Sequence, residues 1–165
     1  MASVDRLETI TEQAIFRERL SCGLAGASLV MAQEFRARYT ANQNPILVSL
    51  SALVGETPVS LDSLPAGQRI RLVATWSSDS AESYPVFDPA SQTIVDHREA
   101  LWLSWFATAG AFDDSLTGRQ ESDPAVETEN GWQSPLAPGV VFLWLVLHDS
   151  RGGVDFASYT LAVVP

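Results

Sequence analysis

VVFLWLVLH, residues 140–148, decides the fold. Eight apolar residues run up to a histidine, entered through Pro138-Gly139 and left through Asp149-Ser150-Arg151-Gly152-Gly153. A run this apolar between two turn signals reads as a central strand covered on both faces. The turn after it is a hairpin signal, and residues 156–164 beyond it read as the closing strand. Upstream, LWLSWFAT (101–108) is a second strong strand, ended by Gly110. Between Arg69 and Trp76, Ile70, Leu72, Ala74 and Trp76 alternate with Arg69, Arg71, Val73 and Thr75. That period of two belongs to a strand with one buried face. Residues 46–54 form the first run of this kind, turned by Glu56-Thr57-Pro58. No convincing helix follows residue 44, so the chain from there on reads as an all-β, antiparallel β-sandwich.

Residues 1–43 have a different rhythm. Thr9 and Glu12 suit a capping box, and Leu24, Ala27, Met31 and Phe35 fall at helical spacing. Phe35, Ala37 and Tyr39, however, alternate with Arg36, Arg38 and Thr40 as a strand would. The pattern leaves helix and strand both open. Charge separates the same two pieces. Residues 1–43 hold five acids and five arginines, whereas 44–165 hold fifteen acids and five arginines and so carry the whole net charge of −10. The expected organisation is an N-terminal extension, 1–43, either short and helical or the remnant of a preceding domain, and a sandwich domain, 44–165.

Composition sets the function classes. Apolar residues make up 46 % of the 165, enough for a packed core. An acidic surface without a basic stripe repels phosphate backbones, which argues against nucleic acid as a partner. The longest uncharged apolar run, Leu20 to Ala32, is too short and too rich in Gly and Ser to span a bilayer. Cys22 stands alone, so no internal disulfide or Cys-based zinc cluster is expected, and it reads as a small buried apolar residue. The opening MASVDRLETITEQ lacks the order of a signal peptide.

The order of signals in 44–165 resembles the immunoglobulin-like and PKD-type domains of secreted bacterial proteins and surface lipoproteins. The residues that carry the likeness are Gly67 before the strand to Trp76, LWLSWFATAGAFDD (101–114) and Gly131-Trp132-Gln133-Ser134-Pro135. Pro138-Gly139, HDSRGG (148–153) and YTLAVV (159–164) complete the series. Two features depart from that pattern: a long insertion at 77–100, and Trp76-Ser77-Ser78-Asp79 where an Asp-Pro-Asp turn is common. The resemblance implies an extracellular or cell-envelope module with protein partners or neighbouring domains, no cofactor and no membrane insertion by this chain.

Chemistry offers little against that reading. GxSxG, GxxxxGK[ST], HExxH and CxxC are all absent from the sequence. His97 lies in the charged stretch Asp96-His97-Arg98-Glu99, and His148 points away from its neighbour Asp149 in a strand, so no enzyme is expected. The expected role is a non-catalytic spacer, adhesion or assembly module. The alternative is a ligand-binding module. For glycan, Trp102 or Trp132 would stack on sugar rings. For calcium, Asp113, Asp114, Glu121, Asp123, Glu127 and Glu129 would supply oxygens from one loop. Trp76 and Trp144 are both expected in the core. Trp102 and Trp105, three apart in a strand, must face opposite ways, with the outer of the two faces covered by residues 1–43.

Overall fold

A computed structural model describes residues 24–165, whose regular structure is mostly antiparallel sheet with one short helix. The strands are β1 (Leu47–Val54), β2 (Thr57–Val59), β3 (Leu64–Pro65), β4 (Arg69–Trp76), β5 (Ser83–Asp88) and β6 (Thr93–Arg98). They continue with β7 (Leu101–Ala107), β8 (Ala111–Phe112), β9 (Leu116–Arg119), β10 (Glu127–Gln133), β11 (Gly139–Asp149) and β12 (Val154–Val164). One sheet has the order β2-β1-β4-β10-β8, and the second has β3-β12-β11-β7-β9. The chain crosses between them repeatedly, and the only parallel pairing among the described strands joins β3 to β12.

The inner faces of the two sheets share one core. Ile70, Leu72, Ala74 and Trp76 of β4 and Trp132 of β10 come from the first sheet. Leu101, Leu103 and Trp105 of β7, Val141, Leu143, Leu145 and Leu147 of β11, and Leu161 and Val163 of β12 come from the second. Each fully buried Leu contributes roughly 1.5–3 kcal/mol relative to an exposed one, so these rows dominate the stability. The alternation along β4 sets its inward face as the sequence indicates.

β11 does not. It is central, paired with β12 on one side and β7 on the other, but only one of its faces is covered. Val140, Phe142 and Trp144 are 60 %, 49 % and 41 % exposed, so Trp144 lies outside the core. An apolar run fits a strand buried on both faces equally well as one whose second apolar face is open. Trp132 takes the opposite place. It is completely buried, and its indole N–H donates to Ala109 O at 3.3 Å. Gly110, at φ +83, lets the chain turn against that ring, where a Cβ would collide with the indole.

The insertion at 77–100 forms a single 3₁₀ turn, Ser78–Ser80, and then the separate hairpin β5–β6. Helix α1 (Leu29–Arg38) rests on this hairpin, with Arg38 bonded to Asp96 at 2.6 Å. The open choice over Phe35–Tyr39 thus falls to helix as far as Arg38. Ser28 Oγ caps its start by accepting from Met31 N–H, and Tyr39 is already extended. The capping box at Thr9 and Glu12, and Cys22, lie outside the described residues.

The two tryptophans should separate in a urea titration. Trp76→Ala, at 3 % exposure, is expected to cost about 3–5 kcal/mol. Trp144→Ala should cost under about 1 kcal/mol in the single chain at high dilution, as exposed substitutions do. Equal losses under those conditions would mean that the chain itself covers the outer face of β11.

Candidate functional site

Three groups of side chains stand out, and their chemistry differs. The first is the outer face of the second sheet. Period-two alternation places Leu116 and Gly118 of β9, Trp102, Ser104 and Phe106 of β7, and Val140 to His148 at even positions of β11 on this side. β12 adds Val154, Phe156, Ser158, Thr160 and Ala162. None of these positions holds an acid or an arginine. Phe106 lies opposite Trp144, Trp102 opposite His148, and Val146 opposite Phe156. Phe106 is 54 % and Phe156 73 % exposed, and the Phe142 and Trp144 rings lie 6.4 Å apart. Soluble monomers seldom expose a contiguous apolar area above about 300–600 Å². Four half-exposed aromatic rings, at 150–250 Å² each, already supply on the order of 400 Å².

The outer face of the first sheet is the contrast. Arg69, Arg71, Glu129 and Glu56 occupy or border it, and a shallow groove of about 440 Å³ runs between them and Asp113. Arg69 pairs with Asp113, while Arg71 reaches Glu56 at 3.0 Å and Glu129 at 3.3 Å. These charges satisfy one another at the surface, where exposed pairs are worth about 0–1 kcal/mol. The segment from Asp113 to Glu129, read as one acidic loop, is divided by β9 and the start of β10. Asp123 pairs with Arg119 at 3.1 Å, and Glu121 with His97 at 3.0 Å. The backbone N–H of Ala125 and the Arg119 guanidinium hold the Asp123 carboxyl below its usual range. Among the described residues no three His, Cys, Asp or Glu side chains are grouped to hold a metal ion.

The third group is a polar clasp at the β11–β12 turn. Asp149, nearly buried, accepts from Arg151 N–H at 2.8 Å, Gly153 N–H at 2.7 Å and Asn42 Nδ2 at 3.0 Å. A Cβ on Gly153 would strike that carboxylate, so glycine is needed there. Arg151 turns inward, donates to Thr40 O at 2.8 Å and lies over the Tyr84 ring at 4.9 Å. Glu99 Oε1 is 3.5 Å away and Glu82 Oε2 3.7 Å away. Glu99 also accepts from Glu82 N–H at 2.9 Å, and Glu82 from Gln43 N–H at 2.9 Å. The clasp therefore ties residues 40–43 to both the final hairpin and the stem of β5–β6. Its cost falls on Glu99, which is 1 % exposed: burial, with Asp149 and Glu82 nearby, pushes its carboxyl up to about 7.

The residues singled out in the sequence are dispersed. Trp132 has no exposed surface, which removes it as a stacking platform for sugar. Trp102 is half-buried on the outer face, opposite Gly118 and His148. Trp105 points inward, its indole N–H on Thr117 Oγ1 at 2.9 Å, so the two tryptophans of β7 do face opposite ways. The described part of the N-terminal extension packs on β5 and β6, and residues 1–23, on which the expected cover of Trp102 and Phe106 also rests, lie outside the described residues. His97 is engaged with Glu121, and His148 faces outward while Asp149 faces inward. Phe106, Phe142, Trp144 and Phe156, the rings that define the open face, were not singled out as a site. No signal along β11 marks them, since its odd and even positions are equally apolar and an open apolar face reads like a covered one.

No family model matches the chain, and no curated protein matches it either. Among solved structures, the solution NMR structure of a lipoprotein from Bacteroides thetaiotaomicron matches over 74 % of this chain and 83 % of its own. The identity is 15 % and the TM-score 0.36. Among the described residues no helix is long and apolar enough to cross a membrane.

The clasp predicts a pH dependence of definite sign. The folded-state carboxyl of Glu99 titrates near 7 and its unfolded counterpart near 4.5, so the folded chain binds the extra proton between those values. Its contribution is complete below about pH 4.5 and is lost as pH rises through 7. Urea unfolding at pH 5 and pH 8 should differ by up to about 3 kcal/mol in favour of pH 5. Glu99→Gln should flatten that slope, and an unchanged slope would assign it to other groups.

Proposed function

We propose that this chain is a non-catalytic, immunoglobulin-like β-sandwich module of an exported bacterial protein, acting in assembly through the outer face of its second sheet. The observation that carries the assembly role is the uncharged aromatic face on a chain of net charge −10. Apolar area of that extent costs solubility unless something covers it, and interface centres are poor in charge and rich in aromatics. The immunoglobulin-like assignment draws support from two facing sheets with repeated crossovers and from the ordered Trp, Gly and Pro motifs of 67–164. The export half rests on the resemblance of those motifs to domains of secreted proteins and surface lipoproteins. The absence of a catalytic role is supported by the dispersal of His97 and His148, each with an ordinary structural environment.

A second reading, glycan binding, is favoured by the neighbouring exposed rings of Phe142 and Trp144. It is the weaker one, because sugar recognition needs directional donors and acceptors beside the rings. Besides the indole N–H groups of Trp102 and Trp144, this face offers only the hydroxyls of Ser104, Thr108, Ser158 and Thr160 and the ring of His148, with no carboxylate, amide or guanidinium to bind sugar hydroxyls.

Carbene footprinting tests the interaction role. Phe106, Phe142 and Trp144 should be labelled several-fold less in intact native envelopes than in the purified chain at high dilution. Equal labelling in both would refute an interaction through this face, and recovery of the protein in the cytosol would refute export.

A further inference from the structure

Resting on that reading, we propose that the outer face of the second sheet binds a second copy of this chain, face to face about a two-fold axis near Trp144. The argument begins with charge. Each chain carries −10, so two copies repel wherever their acidic surfaces meet. The outer face of the first sheet is charged, with Glu129 and Glu56 among its acids. The outer face of the second sheet holds no acid, so two copies can meet there with their charges left at the rim. Self-association about a two-fold axis demands a self-complementary patch, and an uncharged patch meets itself without like-charge repulsion.

Area points the same way. Val140, Val154 and Leu116, at 60 %, 41 % and 52 % exposure, add to the four aromatic rings. With half-buried Trp102 and Val146 the face reaches roughly 800 Å², the share one partner contributes to a standard stable interface. Phe106, Trp144 and Ser158 form its central row, and Phe142 and Phe156 lie on either side of that row. Against a second copy the Trp144 and Phe142 rings would pack on the partner's equivalents, as hot-spot aromatics do at interface centres.

Sedimentation velocity of the full chain over a range of concentrations reads the outcome. The expected result is a mass twice that of one chain, with a dimer that tightens as salt is raised, because screening weakens repulsion between two −10 bodies. Phe142→Asp sets a carboxylate near the axis on both copies and should weaken the dimer at least 100-fold while far-UV CD stays unchanged. Phe156→Asp is the second variant, should the first fail to fold, and should also give the monomer. Val48→Asp, at an exposed position of β1 in the other sheet, should leave the dimer intact. A single-chain mass at every concentration overturns the proposal, as does a dimer that survives both face variants. A monomer whose face is protected only in native envelopes overturns the second copy and leaves the assembly role standing. A monomer already protected in dilute solution would instead mean that the chain covers its own face.

Discussion

Everything in this molecule hangs on the interleaving of β4 and β11 across the core. Ile70, Leu72 and Ala74 from one sheet and Leu143, Leu145 and Leu147 from the other are all completely buried. Because strand side chains alternate with a period of two, fixing these rows inside fixes every even position of β11 and every odd position of β4 outside. A slip of one residue in either strand would exchange the core and surface side chains along that strand. The register thus commits the two outer faces together: Arg69 and Arg71 to one surface, Phe142 and Trp144 to the other.

The parts of the fold legible in the sequence are those where polar and apolar residues take turns. β4 announces its buried face because Arg69 and Arg71 occupy the outward positions. β7 separates Trp102 from Trp105 by the same parity. β11 hides its orientation, since Val140, Phe142 and Trp144 are as apolar as Val141, Leu143 and Leu145, and hydropathy does not tell a covered face from an open one. Trp132 was readable in principle. Glu127, Glu129 and Gln133 alternate with Thr128, Asn130 and Trp132, which sends the indole inward with two polar neighbours. The polar clasp was not readable. Asp96-His97-Arg98-Glu99 looks like a solvated stretch, and only tertiary contact with Arg151 and Asp149 makes Glu99 a buried acid.

The clasp explains how the chain can carry a buried carboxylate at all. An unpaired buried charge costs several kcal/mol, and here Arg151 lies at 3.5 Å from one oxygen of Glu99 while Glu82 N–H donates to the other. The pairing is incomplete, since Asp149 and Glu82 add negative charge to the same region, and the carboxyl resolves the conflict by holding its proton to near neutrality. What this arrangement secures is connectivity. Thr40, Asn42 and Gln43 are all held by groups of the clasp, so the entry into β1 is fixed against the last hairpin.

An open apolar sheet is ordinarily a hazard, because sheet edges and apolar faces both invite uncontrolled association. The edges here are blunted. The outermost strands β2, β3 and β8 span three residues or fewer, β9 spans four, and Pro58 and Pro65 sit in two of them. Where β12 runs past β3, the N–H groups of Val154 and Phe156 are taken by the side chains of Asn44 and Asp155. Pairing along the edges is therefore discouraged while the face stays available. Net charge then limits what that face can meet, since an acidic body approaches another only where the acids are absent. Short edges, a charged first sheet and an uncharged second sheet together leave one surface on which two such acidic bodies can meet without like-charge repulsion. That restriction separates an interface from an aggregation-prone patch.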